Sequence, residues 1–231
     1  YLENYVHPDF ELIYFLKKGI AIHHADLDTF TKRQIEECFK SNDYKLNFKK
    51  YRLQSKVVII MSIILIILPV LYFFFFEFND LNLKERILVS IFQAITPRTA
   101  GFNTISLNGV SEVGLTILII LMLIGGSPGS TAGGMKTSTI AVIFASIISV
   151  FKNKANAELF KKRISDENVK NAFAIFFLYL FIFLFSGLVI SKVENVPVLT
   201  GLFETASAIG TVGLTLGITP ALGLISKIIL I

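Results

Sequence analysis

The sequence predicts an all-α membrane protein built from repeated helix–pore loop–helix units. Its mean hydropathy of +0.67 and its 53% hydrophobic and 17% charged residues lie outside the usual range for a soluble domain. An apolar helix of about 20 residues spans about 30 Å of hydrocarbon, and Val57 to Phe76 and Ala172 to Ile190 have that length without a charge. Two glycine-centred segments, 99–103 and 211–215, follow these helices in matching order. We therefore expect the chain to contain two copies of one structural unit.

The first unit is predicted over residues 53–152. After its spanning helix we expect a short helix at about Lys84 to Ala94, an extended loop around Gly101, and a second long helix at about Glu112 to Phe151. Residues 1–52 are polar ahead of this unit, and we expect a cytoplasmic linker or insert there.

The second unit is predicted over residues 171–231, after a basic loop at 153–170. A short helix at about Val198 to Ala208 leads to the loop around Gly213, and a last helix starts after Pro220. The chain opens on a tyrosine and stops inside an apolar run. We therefore expect it to be a piece of a longer protein.

The basic residues predict the orientation in the membrane. Short cytoplasmic loops are enriched in lysine and arginine, and such residues cluster before the first span and between the units. They are Lys45, Lys49, Lys50, Arg52, Lys56, Lys152, Lys154, Lys161, Lys162, Arg163 and Lys170. We expect a multi-pass protein of the inner or plasma membrane with these loops cytoplasmic and both glycine loops facing outside. The net charge of +5 then reflects topology and does not suggest a nucleic-acid partner.

The glycine loops predict a cation pore. Irregular backbone at membrane depth is tolerated where it is buried in protein or lines water, and rings of backbone carbonyls replace the hydration shell of potassium in selectivity filters. Glycine permits the backbone angles that aim successive carbonyls inward. The alternative is an ordinary extracellular turn. The predicted filter residues are Thr99, Ala100, Gly101, Phe102, Asn103, Thr211, Val212, Gly213, Leu214 and Thr215.

The second long helix of the first unit must break between Gly125 and Gly134. Glycine costs about 1 kcal/mol and proline about 3 kcal/mol relative to alanine inside a helix, and this segment contains five glycines and one proline. A nucleotide-binding P-loop is the alternative, but it needs Gly-Lys-Ser/Thr in sequence, and Met135 separates Gly134 from Lys136. Lys136 has two readings, a snorkelling or helix-stabilising charge and an electrostatic barrier.

Three strings, Ile95 to Thr104, Gly125 to Thr137 and Ser207 to Pro220, carry a family resemblance. Together they resemble the Trk/Ktr/HKT superfamily of potassium transporters, and most closely its TrkH/KtrB-type membrane subunit. The resemblance implies four such units in a pseudo-fourfold arrangement around one pore. This chain is similar to units three and four, so it would supply half of a filter and would not conduct by itself.

The resemblance also implies function and partners. It implies potassium uptake, with the potassium ion as transported substrate, no cofactor, and an intramembrane gating loop beneath the filter. The expected partners are a second copy in a homodimer, membrane lipid, and a TrkA/KtrA-like cytoplasmic nucleotide-binding regulatory subunit. The loop from Lys152 to Lys170 is a candidate docking surface, although the positive-inside rule alone explains its charge. The implied gating-loop residues are Gly125, Gly126, Ser127, Pro128, Gly129, Ser130, Thr131, Ala132, Gly133, Gly134 and Lys136.

Two charges near the glycine loops, Arg98 and Glu204, form a further hypothesis. Partly buried charges need partners, so we expect the two to brace the filter from behind, with pairing across adjacent units as one way to do so. The alternative is two separately solvated surface charges.

Other functions find less support in the sequence. The segment from His23 to Asp28 contains possible metal ligands, but their crowding favours a solvated turn. We expect no enzyme, since the chain has no Ser-His-Asp order and no clustered carboxylates in an apolar setting. The alternative function is a secondary transporter of a small solute, bound at the broken helix. The sequence does not distinguish a preference for potassium from one for sodium, or a channel from a symporter.

Overall fold

Helices make up nearly all of the regular structure in the computed structural model, which describes residues 52–154 and 156–231. Contacts divide the chain into two compact parts, Tyr1–Lys56 and Val57–Ile231, and the candidate site lies wholly in the second part. These parts are distinct from the two predicted repeat units at 53–152 and 171–231. The predictions for the linker at 1–52 and for the His23 to Asp28 turn lie, apart from Arg52, outside the described residues.

The first unit has the predicted order of elements. Helix α1, Leu53–Tyr72, continues as a π-helical turn over Phe73–Glu77, and α2 is Leu83–Ile95. The second long helix is interrupted, as its glycine and proline content predicts. It consists of α3, Glu112–Leu123, and α4, Thr137–Phe151.

The second unit repeats this order. Helix α5 is Asp166–Glu194, α6 is Val198–Ile209, and α7 is Leu224–Leu230. Helix α5 extends beyond the apolar run at both ends because its polar flanks carry helix signals of their own. The Ser165 side chain accepts a hydrogen bond from the Asn168 backbone N–H, and Asn195 stops the helix in a left-handed conformation.

The basic segment between the units contains a small hairpin that the sequence analysis did not predict. Strand β1, Glu158–Leu159, pairs antiparallel with β2, Lys162–Arg163. The two turn residues, Phe160 and Lys161, have φ angles of +51° and +63°, as the two-residue turns of hairpins require. The usual Asn-Gly signal is missing from this turn, so the pattern gives no warning of it.

The buried core lies where α6 packs against α5 and α3. Phe203 of α6, Leu118 and Met122 of α3 and Ile190 of α5 are fully buried. Helices α5 and α6 approach closely because Gly201 of α6 lies against the backbone of α5. A Cβ added at Gly201 would lie 2.6 Å from the carbonyl oxygen of Gly187. Small residues allow such close helix contacts in membrane proteins.

Replacement of Gly201 by alanine is therefore expected to destabilise the second unit. The added methyl meets backbone atoms that cannot rotate away, and overpacking of this kind costs about 1–3 kcal/mol. The melting temperature of the full-length protein in detergent measures the effect. Alanine at Gly109, where no described atom lies within 4 Å of the added Cβ, is the control. An equal melting temperature for both variants would contradict this account of the α5–α6 contact.

The two longest helices expose most of their apolar surface. In the described part of the chain, Leu53–Glu77 and Asp166–Glu194 are long and apolar enough to cross a membrane, with only 17% and 22% of their most apolar windows buried. Leu68 and Phe181 are 62% and 67% exposed. Continuous apolar surface of this size is rare on soluble monomers and is the expected surface of a helix in contact with lipid.

Candidate functional site

The two glycine loops share an unusual backbone conformation. In the first loop Thr99 and Gly101 have φ angles of +70° and +71°, and in the second loop Thr211 and Gly213 have φ angles of +50° and +88°. A threonine with positive φ is uncommon and strained, yet it occurs at the same position of both loops. The repeat inferred from sequence therefore extends to the backbone, and strained residues of this kind cluster at functional sites.

The two loops lie in direct contact. A Cβ added at Gly101 would lie 2.0 Å from the carbonyl oxygen of Val212, so only a glycine fits at this position. The hydroxyl of Thr99 donates a hydrogen bond to the carbonyl oxygen of Gly210 over 3.3 Å. The structure thus brings together the central residues of the two predicted filter segments.

The second loop is anchored by alternate side chains. Val212 and Leu214 are buried in the core, whereas Thr211 and Gly213 are exposed. This alternation is typical of an extended segment with one buried face. It fixes the loop while leaving one side of its backbone open to a ligand.

The first loop is held by a residue that the sequence analysis missed. Thr96, at the end of α2, is 1% exposed, and its hydroxyl donates a 2.6 Å hydrogen bond to the carbonyl oxygen of Phe102. This carbonyl belongs to the predicted filter and is engaged by the protein. Asn103 and the Phe102 side chain are exposed. The only sequence signal for Thr96 is a threonine directly after an amphipathic helix.

Glu204 holds the second loop from behind. It is 4% exposed, and its carboxylate accepts hydrogen bonds from the Thr215 hydroxyl at 2.7 Å, the Leu216 backbone N–H at 2.9 Å and the Thr219 hydroxyl at 2.7 Å. Across the described residues Glu204 forms no ion pair with Arg98. The pairing suggested by the sequence is therefore absent here, and Glu204 obtains its partners from its own unit.

Replacement of Glu204 by glutamine tests the contribution of these bonds. The amide keeps one acceptor oxygen, so at least one of the three hydrogen bonds to the charged carboxylate is lost or weakened. A hydrogen bond to a charged group contributes about 1.5–3 kcal/mol. We expect a lower melting temperature of the full-length protein and a weaker preference between potassium and sodium. Unchanged stability together with unchanged selectivity would remove Glu204 from the filter support.

The break in the second long helix forms a closed loop. The Gly125 backbone N–H donates to the Met135 carbonyl, and the Met135 N–H donates to the Leu123 carbonyl, both at 2.9 Å. These bonds join the chain as it leaves α3 to the chain as it approaches α4. Glycine is required where the two ends of the loop meet, because a Cβ at Gly125 would lie 1.7 Å from the Gly133 carbonyl oxygen.

This loop touches the second glycine loop. The Gly133 backbone N–H donates a 3.0 Å hydrogen bond to the Thr211 hydroxyl. Lys136 closes the loop from the other side, since its ammonium group donates to the carbonyl oxygens of Ser130 at 3.1 Å and Ala132 at 2.5 Å. The predicted gating loop and the second predicted filter segment therefore form one connected structure.

Comparison with known proteins shows the family to which the chain belongs. The family model TrkH, described as a cation transport protein, matches residues 30–231. The chain is 39% identical to the potassium/sodium uptake protein NtpJ of Enterococcus hirae, over 79% of this chain and 43% of that protein. It is 34% identical to the Ktr system potassium uptake protein B of Bacillus subtilis, over 80% of this chain and 43% of that protein. The protein of the same description in Vibrio alginolyticus is 36% identical over 62% of this chain and 32% of its own length.

The chain therefore spans less than half the length of these relatives. A family described by cation transport agrees with the expectation that the chain is not an enzyme. The match covers both glycine loops and the broken helix between them. The fold, the repeated loops and the family match lead to one conclusion: the chain belongs to the TrkH family of cation transport proteins.

Proposed function

We propose that this chain supplies two adjacent pore units of a protein that takes up potassium across the cell membrane. The observation that carries the proposal is the direct contact of two loops with the same left-handed backbone pattern at Thr99 and Gly101 and at Thr211 and Gly213. The relatives' names, a potassium/sodium uptake protein and a Ktr system potassium uptake protein, support it. The potassium ion is then the transported substrate and no cofactor is needed.

The proposed chemistry is coordination by backbone carbonyls of residues 99–103 and 211–215, except the carbonyl of Phe102, which accepts the hydrogen bond from Thr96. In both loops two residues with positive φ, a threonine and a glycine, alternate with other residues, and such alternation lets successive carbonyls face one side. Carbonyls on that side replace the water of a dehydrated cation. Each loop has a support from its own unit, Thr96 in the first and Glu204 in the second. Arg98 remains part of the proposed support through its position three residues before Gly101.

The loop from Gly125 to Gly134 is the proposed gate. It contacts Thr211 of the second filter segment and is held closed by Lys136. Movement of this loop changes access to the filter and releases the hydrogen bond between Gly133 and Thr211. The Lys136 ammonium group holds the loop through these bonds, a role not considered from sequence. Its positive charge beside the proposed path is the electrostatic barrier that the sequence suggested.

We further propose the topology and partners that follow from this function. The units at 53–152 and 171–231 cross the cell membrane with their glycine loops outside, and the basic segment at 153–170 is cytoplasmic. The full-length protein is a homodimer with a cytoplasmic nucleotide-binding regulatory subunit. The phrase "Ktr system" in the names of two relatives, which suggests several components, supports the regulatory subunit.

Flux measurements on the full-length protein test this function. We expect liposomes that contain it, with its regulatory subunit present, to take up potassium in preference to sodium down an imposed gradient. Empty liposomes are the control. Uptake of a small organic solute without cation flux would contradict the proposal. It would favour the alternative secondary transporter, for which the broken helix between Leu123 and Thr137 is the specific observation.

A further inference from the structure

In each unit the spanning helix ends on a glutamate, Glu77 after α1 and Glu194 in α5. Its carboxylate contacts the start of the helix that follows the glycine loop, here called the inner helix, which is α3 in the first unit and α7 in the second. In the first unit the Glu77 carboxylate accepts hydrogen bonds from the Ser111 backbone N–H at 2.5 Å and the Ser111 hydroxyl at 2.7 Å. In the second unit the Glu194 carboxylate accepts from the Gly223 backbone N–H at 2.9 Å and from the Ser226 hydroxyl. The same contact therefore occurs twice in the chain.

The two contacts use a serine and a glycine at opposite positions. The residue just before the inner helix is Ser111 in the first unit and Gly223 in the second, and the third helical residue is Gly114 in the first and Ser226 in the second. Each carboxylate thus receives one backbone N–H and one hydroxyl, although the hydroxyl comes from a different position. Recurrence of the contact in both units, made by different residues, indicates a requirement for the contact itself.

Helix capping does not account for the Glu77 bonds. The Ser111 hydroxyl already accepts a 3.1 Å hydrogen bond from the Gly114 backbone N–H, which is the ordinary cap of α3. The Glu77 bonds come in addition, from a residue 34 positions earlier in the chain. Hydrogen bonds to a carboxylate are roughly twice as strong as those between neutral groups. The contact therefore joins two helices that the chain itself separates by a long segment.

We propose that Glu77 and Glu194 are equivalent positioning residues that hold the two pore-loop segments, 78–110 and 195–222, closed at their ends. Each segment contains one short pore helix and one glycine loop. Joining its two ends restricts how far the glycine loop moves relative to the inner helix, and so preserves the spacing of its carbonyls. This role rests on the proposed function, since it concerns the selectivity of the same filter.

The test compares Glu77→Gln and Glu194→Gln in the full-length protein, reconstituted in liposomes with its regulatory subunit. The amide removes the charge and one acceptor, so we expect the ratio of potassium to sodium uptake to fall about fivefold or more. Glu112→Gln is the matched control, because Glu112 lies at the start of α3 and its side chain has no hydrogen bond in the described part of the chain. Its uptake ratio is expected to stay unchanged.

A rescue experiment separates this contact from a general loss of stability. Ser226→Ala removes the hydroxyl that reaches Glu194, and Gly223→Ser supplies a hydroxyl at the position that Ser111 occupies in the first unit. We expect the single Ser226→Ala variant to lose selectivity and the double variant to regain it. A Cβ at Gly223 would lie 3.2 Å from the Glu194 carboxylate, so the added side chain fits with a small shift.

The possible outcomes distinguish this inference from the proposed function. If the glutamate variants melt at a lower temperature but keep the uptake ratio, Glu77 and Glu194 only stabilise the contact between two helices. That result would overturn the positioning role. If the double variant fails to regain selectivity, the hydroxyl contact to Glu194 does not position the loop, and the positioning role is overturned. Absence of cation flux in the unaltered protein would refute the proposed function, and the positioning role with it.

Discussion

Alanine at Gly101 is expected to damage the full-length protein more than alanine at Gly213. At Gly101 the added Cβ would lie 2.0 Å from the Val212 carbonyl oxygen, and the φ of +71° also disfavours a side chain. At Gly213 the φ is +88° but no described atom lies within 4 Å of the added Cβ. Backbone strain alone costs about 1–2 kcal/mol, whereas the collision at Gly101 requires the second loop to move as well.

Purified yield, melting temperature and the ratio of potassium to sodium uptake measure this difference. We expect Gly101→Ala to lose selectivity and much of its yield, and Gly213→Ala to fold with reduced selectivity. Gly109→Ala, in the same segment as Gly101 but in open space among the described residues, is the control and should match the unaltered protein. Equal behaviour of all three variants would show that the two loops do not meet as described.

Alanine at Lys136 is expected to raise cation flux under conditions that keep the gate closed. The ammonium group donates to two carbonyl oxygens of the Gly125–Gly134 loop, and a hydrogen bond from a charged group contributes about 1.5 kcal/mol or more. Since about 1.4 kcal/mol changes an equilibrium tenfold, loss of even one bond raises the open population about tenfold. The resting flux should rise accordingly.

Flux into liposomes without the activating state of the regulatory subunit measures this effect. Lys84→Ala is the matched control, because it removes the same charge from an exposed position at the start of α2 and leaves the loop contacts intact. Resting flux that stays at the level of the unaltered protein in Lys136→Ala would mean that this lysine does not hold the loop. Raised flux in both variants would point to general charge effects.

The order of the elements could be predicted from sequence because it depends on local properties. Apolar length gave α1 and α5, and the density of glycine and proline gave the break between α3 and α4. The ends of α5 were misjudged because Ser165 and Asn195 carry capping signals outside the apolar run. The hairpin at β1 and β2 was missed for a related reason, since its turn lacks the residues that usually mark one.

The contacts that connect the candidate site depend on tertiary structure, and no local pattern predicts them. The support of Phe102 by Thr96 and the reach of Glu77 to Ser111 join residues whose spacing carries no signal. Likewise, the pairing of Arg98 with Glu204 was a reasonable inference from charge alone. Glu204 instead takes its partners from the chain that follows its own short helix, a preference that only the path of the second loop reveals.

Crystals of the full-length protein soaked with thallium, a potassium substitute with strong anomalous scattering, test the central claim most directly. The claim is that the loops at 99–103 and 211–215 coordinate the transported ion through their carbonyls. We predict an anomalous peak beside the backbone of Gly101 and Gly213 that excess potassium, present together with thallium, weakens more than excess sodium does. Peaks confined to the Gly125–Gly134 break, with none at the glycine loops, would contradict the account and favour a solute site at the broken helix.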